Sequence, residues 1–345
     1  MYSNSLYLLK VLAHNMKLSE RIDAFAELGK VLHSIEVTDK DNLFRQAGNY
    51  NAWFTPEQCD LALTGISKFL VKEDLTQWVM PYNLSLSTSR EVGVVMAGNI
   101  PLVGFHDMLC ILISGHHLAA KLSSQDTILM RYVIDALIRI DPRFNEFITL
   151  TERMNNVEAV IATGSDNTSR YFEYYFRNIP HIIRKNRSSC ALLRGDETEE
   201  QLIALGRDVF SYYGLGCRNV SKLYVPKGYD FVKLLDLWPQ YSDVSNHHKY
   251  VNNYDYNKSI LLVNRVPFLD NGFILITENS ALVSPISVLY YETYTNTPDL
   301  TSEKIQCVAT STGWSEGSIP FGKTQEPGLT DYADRVDTLK FLTAL

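Results

Sequence analysis

The sequence predicts an α/β protein built from two α/β domains with mainly parallel sheets, on three observations. Residues 1–80 repeat apolar residues at three- and four-residue intervals, the period of an amphipathic helix. From residue 91 short apolar runs alternate with amphipathic segments, and after residue 190 a second block does the same. Strands alternating with helices in this way form a parallel sheet covered on both faces.

The helical layer comprises LYLLKVLAHNM, RIDAFAELGKVL and CDLALTGISKFL. GVVMAG then reads as a strand, PLVGFHDMLCILI as a helix, HHLAAKLS as a strand and DTILMRYVIDALIRI as a helix. The strand VEAVIAT, the helix SRYFEYYFRNI and the strand PHIIRKN complete the first block, and the aromatic run Tyr171, Phe172, Tyr174, Tyr175 and Phe176 on that helix reads as core packing. The second block opens with the strand CALLR and a helix from about Glu199 to Tyr213. It continues with the strand VSKLYVP, a helix over YDFVKLLDLW and the strands SILLVN, FILIT, ISVLYY and KIQCVAT. The stretch around residues 241–257, rich in Tyr and Asn, reads as a polar surface loop.

Composition narrows the function classes. The chain has 345 residues, 46% of them hydrophobic and 21% charged, which is an ordinary globular balance. Lys plus Arg number 32 against 39 Asp plus Glu, a net charge of −7 that argues against a nucleic acid or an anionic membrane surface as the main partner. The five cysteines, Cys59, Cys110, Cys190, Cys217 and Cys307, are odd in number and contain no CxxC pair, against a disulfide framework or a zinc-thiolate site. No signal peptide and no apolar stretch long enough for a membrane span are present, so the expected location is the cytoplasm.

Gly317–Thr324, GSIPFGKT, fits the phosphate-cradling pattern G-x-x-x-x-G-K-[ST], with Lys323 as the phosphate ligand. Such a loop must follow a buried strand and open a helix, whereas Pro327 and Gly328 follow almost at once. No complete G-x-G-x-x-G fingerprint exists, and the adjacent pairs His116–His117 and His247–His248 point in different directions and do not suit a shared metal. Cys217 differs from the other cysteines. It falls in the Gly-flanked segment GLGCRN between a predicted helix and a strand, beside Arg218, where backbone N–H groups and a cation favour a thiolate nucleophile.

The ordered motifs GVVMAGNIPLVGF, AAKLSSQDT, ATGSDNTSR, GLGCRNVSKLYV, ENSALVSPISVLYYE and IPFGKTQEPGLTDY resemble the aldehyde dehydrogenase superfamily, and within it most closely the LuxC-type acyl-CoA reductases. The resemblance covers residues 90–345 and implies an aldehyde-dehydrogenase-like fold. It implies an N-terminal helical layer plus NADPH-binding domain over residues 1–187, a catalytic domain over 188–320 and a tail over 321–345 returning across the interface. A chain of 345 residues is short for that superfamily, which implies a reduced or missing element such as the oligomerisation arm.

The resemblance also assigns roles. Cys217 matches the acyl-carrying nucleophile, and Asn99 the amide that forms the oxyanion hole with the Cys217 N–H. Lys121 matches the lysine at the adenosine ribose, with Ser123 and Ser124 beside it. Ser124 stands where NAD-preferring members often carry a glutamate, which implies NADPH rather than NADH. Gly164 and Ser165 match the turn that opens a helix against the pyrophosphate, and Glu278 is a weak match to the acid at the nicotinamide ribose. Hydrolytic members carry a basic glutamate in a segment that here reads HIIRKNRSSCALLRG, with no carboxylate. The implied reaction is therefore transfer of an acyl group from acyl-CoA or another thioester to Cys217, then reduction to an aldehyde. An acyl-donor protein partner and a homo-oligomer are further implications. An aldehyde dehydrogenase acting on free aldehydes, a P-loop nucleotide hydrolase and a non-catalytic complex partner are the alternatives.

Overall fold

The computed structural model describes residues 16–84, 88–311 and 317–345, and the chain forms two compact units. The helix expected over LYLLKVLAHNM falls, apart from Met16, outside the described residues.

The first unit runs to Lys185 and takes in residues 328–332 and 336–345. It begins with α1 (Leu18–His33), α2 (Val37–Tyr50), α3 (Pro56–Phe69) and α4 (Lys72–Val79). There follow β1 (Glu91–Val95), α5 (Phe105–Ser114), β2 (His117–Lys121), α6 (Thr127–Ile140), the single turn α7 (Phe144–Phe147) and β3 (Ile148–Leu150). The last elements of the sheet are β4 (Ala159–Thr163), α8 (Asp166–Phe176) and β5 (His181–Arg184). The strands are all parallel in the order β3-β2-β1-β4-β5, with Val94 in register with Ala120 on one side and Ile161 on the other. Strand addition reverses direction between β1 and β4, so the connections diverge and leave a crevice beyond the carboxyl ends of the strands.

Burial explains the short, unbroken apolar runs. Val92, Val94, Ala120, Val160 and Ile161 are buried because helices cover both faces of the sheet. In α5 every residue except His106 is buried, and its Asp107 meets the Arg184 guanidinium at 2.6 Å. Arg184 also donates to the Thr338 hydroxyl at 3.0 Å, on the closing helix Thr338–Thr343, so the C-terminal segment joins this unit through a paired buried charge.

The second unit comprises residues 186–327 and 333–335. It contains β6 (Ser188–Leu192), α9 (Glu199–Phe210), β7 (Val220–Pro226), α10 (Phe231–Leu237) and α11 (His248–Val263). The remaining strands are β8 (Leu269–Asp270), β9 (Leu275–Glu278), β10 (Val288–Tyr294), β11 (Ile305–Thr310) and β12 (Ile319–Pro320). Their order is β12-β11-β6-β7-β10-β9-β8, parallel except for the β8–β9 pair. Thr198 starts α9 with a reciprocal cap, accepting the Gln201 N–H at 3.3 Å while the Gln201 side chain accepts the Thr198 N–H at 3.0 Å.

Three local expectations are corrected. The stretch around 241–257 is not a loop: a 3-10 turn (Pro239–Asn246) leads into α11, and SILLVN is the end of that helix rather than a strand. The buried stripe of α11 is Tyr250, Tyr254 and Asn257. Its inward positions are amphipathic residues whose polar ends find partners, Tyr254 on Asp270 at 2.6 Å and Asn257 on the Ile286 carbonyl at 3.1 Å, so a reading of apolar periodicity passes over them. The third correction concerns α8, where Tyr171, Tyr174 and Tyr175 are 66%, 63% and 72% exposed rather than core. Phe172 and Phe176 lie on the other side of that helix with ring centroids 6.1 Å apart.

Candidate active site

Cys217 owes its setting to a helix that stops early. α9 ends at Phe210, three residues before the expected Tyr213, and Tyr212, Tyr213 and Gly214 take φ values of 51°, 55° and 81°. Only glycine adopts that left-handed region freely, and each tyrosine there costs about 1–3 kcal/mol. Burial of both rings offsets it, and Tyr213 packs on His247 at a centroid distance of 4.6 Å. The chain then enters a turn closed by the Asn219 N–H on the Gly216 carbonyl at 3.1 Å, with Cys217 and Arg218 as its central residues, directly ahead of β7.

Ser189, a fully buried residue of β6, anchors this turn. Its hydroxyl donates to the Cys217 carbonyl at 3.1 Å, accepts the Cys307 N–H at 3.2 Å and lies 3.0 Å from the Cys307 Sγ. Cys217 is half-buried, whereas the other four cysteines are buried. Burial pushes the Cys59 and Cys190 thiols up to about 12 and raises those of Cys110 and Cys307, so all four stay protonated and unreactive near neutral pH.

Asn99 belongs to the first unit, in the loop that leaves β1. A side chain at Gly98 would come within 2.4 Å of the Ser123 Oγ, so this loop lies directly against the one after β2. Asn51 donates to the Gly98 carbonyl at 3.2 Å, and the Asp126 carboxyl accepts the Leu102 N–H at 2.7 Å. Leu102 is itself left-handed, with φ of 58°. Burial raises the Asp126 carboxyl to about 8, against the opposing effect of the Leu102 N–H, so it is mainly protonated at neutral pH.

A cavity of about 500 Å³ opens at the carboxyl ends of β1, β2 and β3. Lys121, Ser123 and Ser124 line it together with Thr127, Arg131 and Glu152. Lys121 is the last residue of β2, and Ser123 shapes the following turn by accepting the Gln125 N–H at 3.3 Å and the Thr127 hydroxyl at 2.9 Å through its carbonyl. Cations and hydroxyls gathered past parallel strand ends suit a phosphorylated ribose, so the residues present fit the nicotinamide dinucleotide that the sequence motifs imply.

Gly164 and Ser165 lie at the end of β4 and are not among the residues lining that cavity. Ser165 caps α8 by accepting the Thr168 N–H at 3.3 Å, and a side chain at Gly164 would press on Thr168 and Phe172 at 3.0 Å. Glu278 ends β9, exposed, in the second unit with Cys217. Sequence reasoning singled out neither Arg131, one helical turn beyond Thr127 and so on the same face of α6, nor Ser189 and Asp126. The i, i+4 spacing from Thr127 was the available signal for Arg131.

The stretch that matches the hydrolytic base holds four Lys and Arg side chains, each engaged with a carboxylate: Arg184 with Asp107, Lys185 with Glu173 at 2.8 Å, Arg187 with Asp334 at 2.9 Å and Arg194 with Asp196 at 3.2 Å. Gly317–Thr324 does not cradle a phosphate. It contains the two-residue β12, opens no helix, and turns its Gly322 and Thr324 N–H groups onto the buried Asp208 carboxylate at 2.6 and 3.0 Å. Lys323 pairs with Glu326 at 2.8 Å, so the P-loop alternative falls. Among the described residues no cluster of His, Cys, Asp or Glu could hold a metal ion, and no helix is long and apolar enough to cross a membrane.

No protein-family model matches the chain, and no curated protein matches it in sequence. Solved structures do match. An indole-3-acetaldehyde dehydrogenase of P. syringae, AldA, superposes with a TM-score of 0.61 at 12% identity over 88% of this chain and 74% of its own. An aldehyde dehydrogenase of Mycobacterium tuberculosis gives 0.60 at 13% over 86% and 74%, and an NADP-dependent enzyme of E. coli 0.62 at 12% over 86% and 74%. Likeness at such identities establishes the fold: this chain adopts the aldehyde-dehydrogenase-like fold.

Proposed function

We propose that this protein is an NADPH-dependent reductase of activated acyl groups. The Cys217 thiolate attacks the carbonyl carbon of an acyl-CoA or similar thioester, and the bond to the departing thiol breaks, leaving the acyl group on Cys217. Bound NADPH would supply the hydride that reduces this enzyme thioester to an aldehyde. The Asn99 amide and the Cys217 N–H stabilise the oxyanion formed at the carbonyl oxygen, and Lys121, Ser123 and Ser124 hold the cofactor's adenosine ribose. Gly164, Ser165 and Glu278 keep the cofactor roles that their motifs imply.

One observation carries the choice of reduction over hydrolysis. Where a water-activating carboxylate is expected, Arg184, Lys185 and Arg187 stand, each committed to a carboxylate elsewhere. With no base to deprotonate water there, the acyl-enzyme persists until hydride arrives. The second reading, oxidation of free aldehydes, takes its support from the names of the P. syringae and M. tuberculosis structures.

The test combines protein, NADPH and a chain-length series of acyl-CoA substrates, following cofactor oxidation and the mass of the peptide holding Cys217. The expected result is an acyl adduct on that peptide, aldehyde formation and loss of both in Cys217→Ala. Aldehyde oxidation without coenzyme A, and no adduct from acyl-CoA, would decide for the second reading.

A further inference from the structure

We infer that Arg131 reads the 2′-phosphate of the nicotinamide cofactor, completing with Lys121 and the hydroxyls of Ser123 and Ser124 a site that selects NADP(H) over NAD(H). The inference rests on the proposed reading in one respect: a dinucleotide must bind in the first unit.

Three observations lead to it. Arg131 lines the cavity at the carboxyl ends of β1, β2 and β3, four residues after Thr127 on α6, so the two side chains project from the same face of the helix. The remainder of α6 is anchored by Leu129, Met130, Val133, Ile134 and Leu137 in the core, which fixes the helix while leaving Arg131 exposed. The pairing of charges is the second observation. Among the described residues Arg131 and Lys121, like several other surface cations, enter no ion pair, so no carboxylate neutralises either charge at this cavity. Two cations facing one cavity repel each other, and a dianion between them removes that repulsion while accepting charge-assisted hydrogen bonds, for which the planar guanidinium is the better partner.

The third observation is the composition of the wall. Of the lining residues only Glu152 carries a carboxylate. It opposes a phosphate placed nearby and favours an unmodified ribose diol, so Arg131 and Glu152 push cofactor choice in opposite directions. Two cations and the hydroxyl donors of Ser123 and Ser124 against one acid set the balance towards the phosphate, the Thr127 and Thr151 hydroxyls already donating to the Ser123 and Arg153 carbonyls.

A phosphorylated adenosine ribose also occurs in coenzyme A, where the phosphate is on the 3′ oxygen, so the probes must separate the two sources. The experiment is a calorimetric titration of the full chain with adenosine 2′,5′-bisphosphate, adenosine 3′,5′-bisphosphate, AMP, NADPH and NADH. It is repeated in Arg131→Ala, Arg131→Lys and Glu152→Gln, with thermal unfolding as a control. The wild type should bind the 2′,5′ compound more tightly than AMP and NADPH more tightly than NADH. Arg131→Ala should weaken the 2′,5′ compound and NADPH about 10–100-fold, the usual range for a lost charge-assisted contact, and leave AMP and NADH unchanged. Arg131→Lys should recover part of the loss, and Glu152→Gln should tighten NADPH relative to NADH.

Equal weakening of all ligands in Arg131→Ala, or a shifted unfolding midpoint, would reduce Arg131 to a structural residue and overturn the inference. So would preferential binding of the 3′,5′ compound, which would assign the cavity to coenzyme A. Equal binding of NADPH and NADH, untouched by Arg131→Ala, removes the inference and the preference for NADPH while leaving acyl reduction through Cys217 in place. Failure of every nucleotide to bind removes both.

Discussion

Asp208 holds Thr324 by two of its bonds at once: one carboxylate oxygen accepts the Thr324 N–H at 3.0 Å and its hydroxyl at 2.8 Å, and the other accepts the Gly322 N–H at 2.6 Å. The backbone donors that a phosphate loop would offer a nucleotide thus serve an internal anion. Burial lifts the Asp208 carboxyl to about 6, opposed by these donors.

Lys323→Ala is therefore expected to leave cofactor affinity and turnover unchanged. Thr324→Val, which removes one donor from a buried carboxylate, should lower the unfolding free energy by about 1–3 kcal/mol in a denaturant titration. A nucleotide-dependent phenotype of Lys323→Ala would restore the phosphate-loop reading.

The contrast between Cys217 and the buried cysteines can be read by mass spectrometry. Iodoacetamide applied to the native protein should modify Cys217 first, with Cys59, Cys110, Cys190 and Cys307 reacting only on unfolding. Ser189→Ala removes the hydroxyl shared by the Cys217 carbonyl and the Cys307 N–H, so the rate of Cys217 labelling should change and acyl transfer should slow, while Cys307, still buried and without the hydrogen bond that lowers its thiol pKa, stays unlabelled. Unaltered labelling in Ser189→Ala would mean that the turn holds without its anchor.

Asn99→Ala removes one proposed oxyanion donor. The loss expected is about 10²–10³ in kcat, corresponding to roughly 3–4 kcal/mol, with little change in NADPH affinity measured by titration. A fall in affinity with kcat intact would place Asn99 in cofactor binding instead.

Asp126 predicts a pH dependence of stability. Its carboxyl is raised from 3.8 to about 8 by burial, so between those values the folded chain holds a proton that the unfolded chain has released. The contribution is fully present below about pH 3.8 and declines as the pH rises through about 8. Asp126→Asn keeps an acceptor for the Leu102 N–H and cannot ionise. Its unfolding free energy, compared with wild type across this range, should lack that decline; parallel curves would show that Asp126 does not titrate in the folded state.

Strand and helix order was legible where one residue type both packs and repeats. Val92 and Val94 in β1, or Val160 and Ile161 in β4, are apolar because both faces of the strand are covered, and no other element suits such short apolar runs. α11 was not legible, because its inward stripe of Tyr250, Tyr254 and Asn257 satisfies polar groups on Asp270 and Ile286, which appear only once β8 and the loop before β10 are in place. The tyrosines of α8 failed in the opposite sense: an aromatic run looks like core until the helix is rotated onto its sheet and Tyr171, Tyr174 and Tyr175 remain outside.

The candidate site divides in the same way. By itself the sequence determined that Cys217 stands in a glycine-flanked turn apart from the other cysteines, that Lys121, Ser123 and Ser124 follow a strand, and that no carboxylate lies in residues 181–193. These are local facts, set by side-chain identity and by spacings of a few residues. Only the tertiary structure decided that Arg131 shares a cavity with Lys121, that Ser189 anchors the Cys217 turn and that Asp208 occupies the N–H groups of Gly322 and Thr324. Ser189 and Cys217 are 28 residues apart, and Asp208 and Thr324 are 116. No local periodicity encodes such pairs, because parallel strands bring together segments separated by whole crossover connections, and partners are chosen only when the sheet closes.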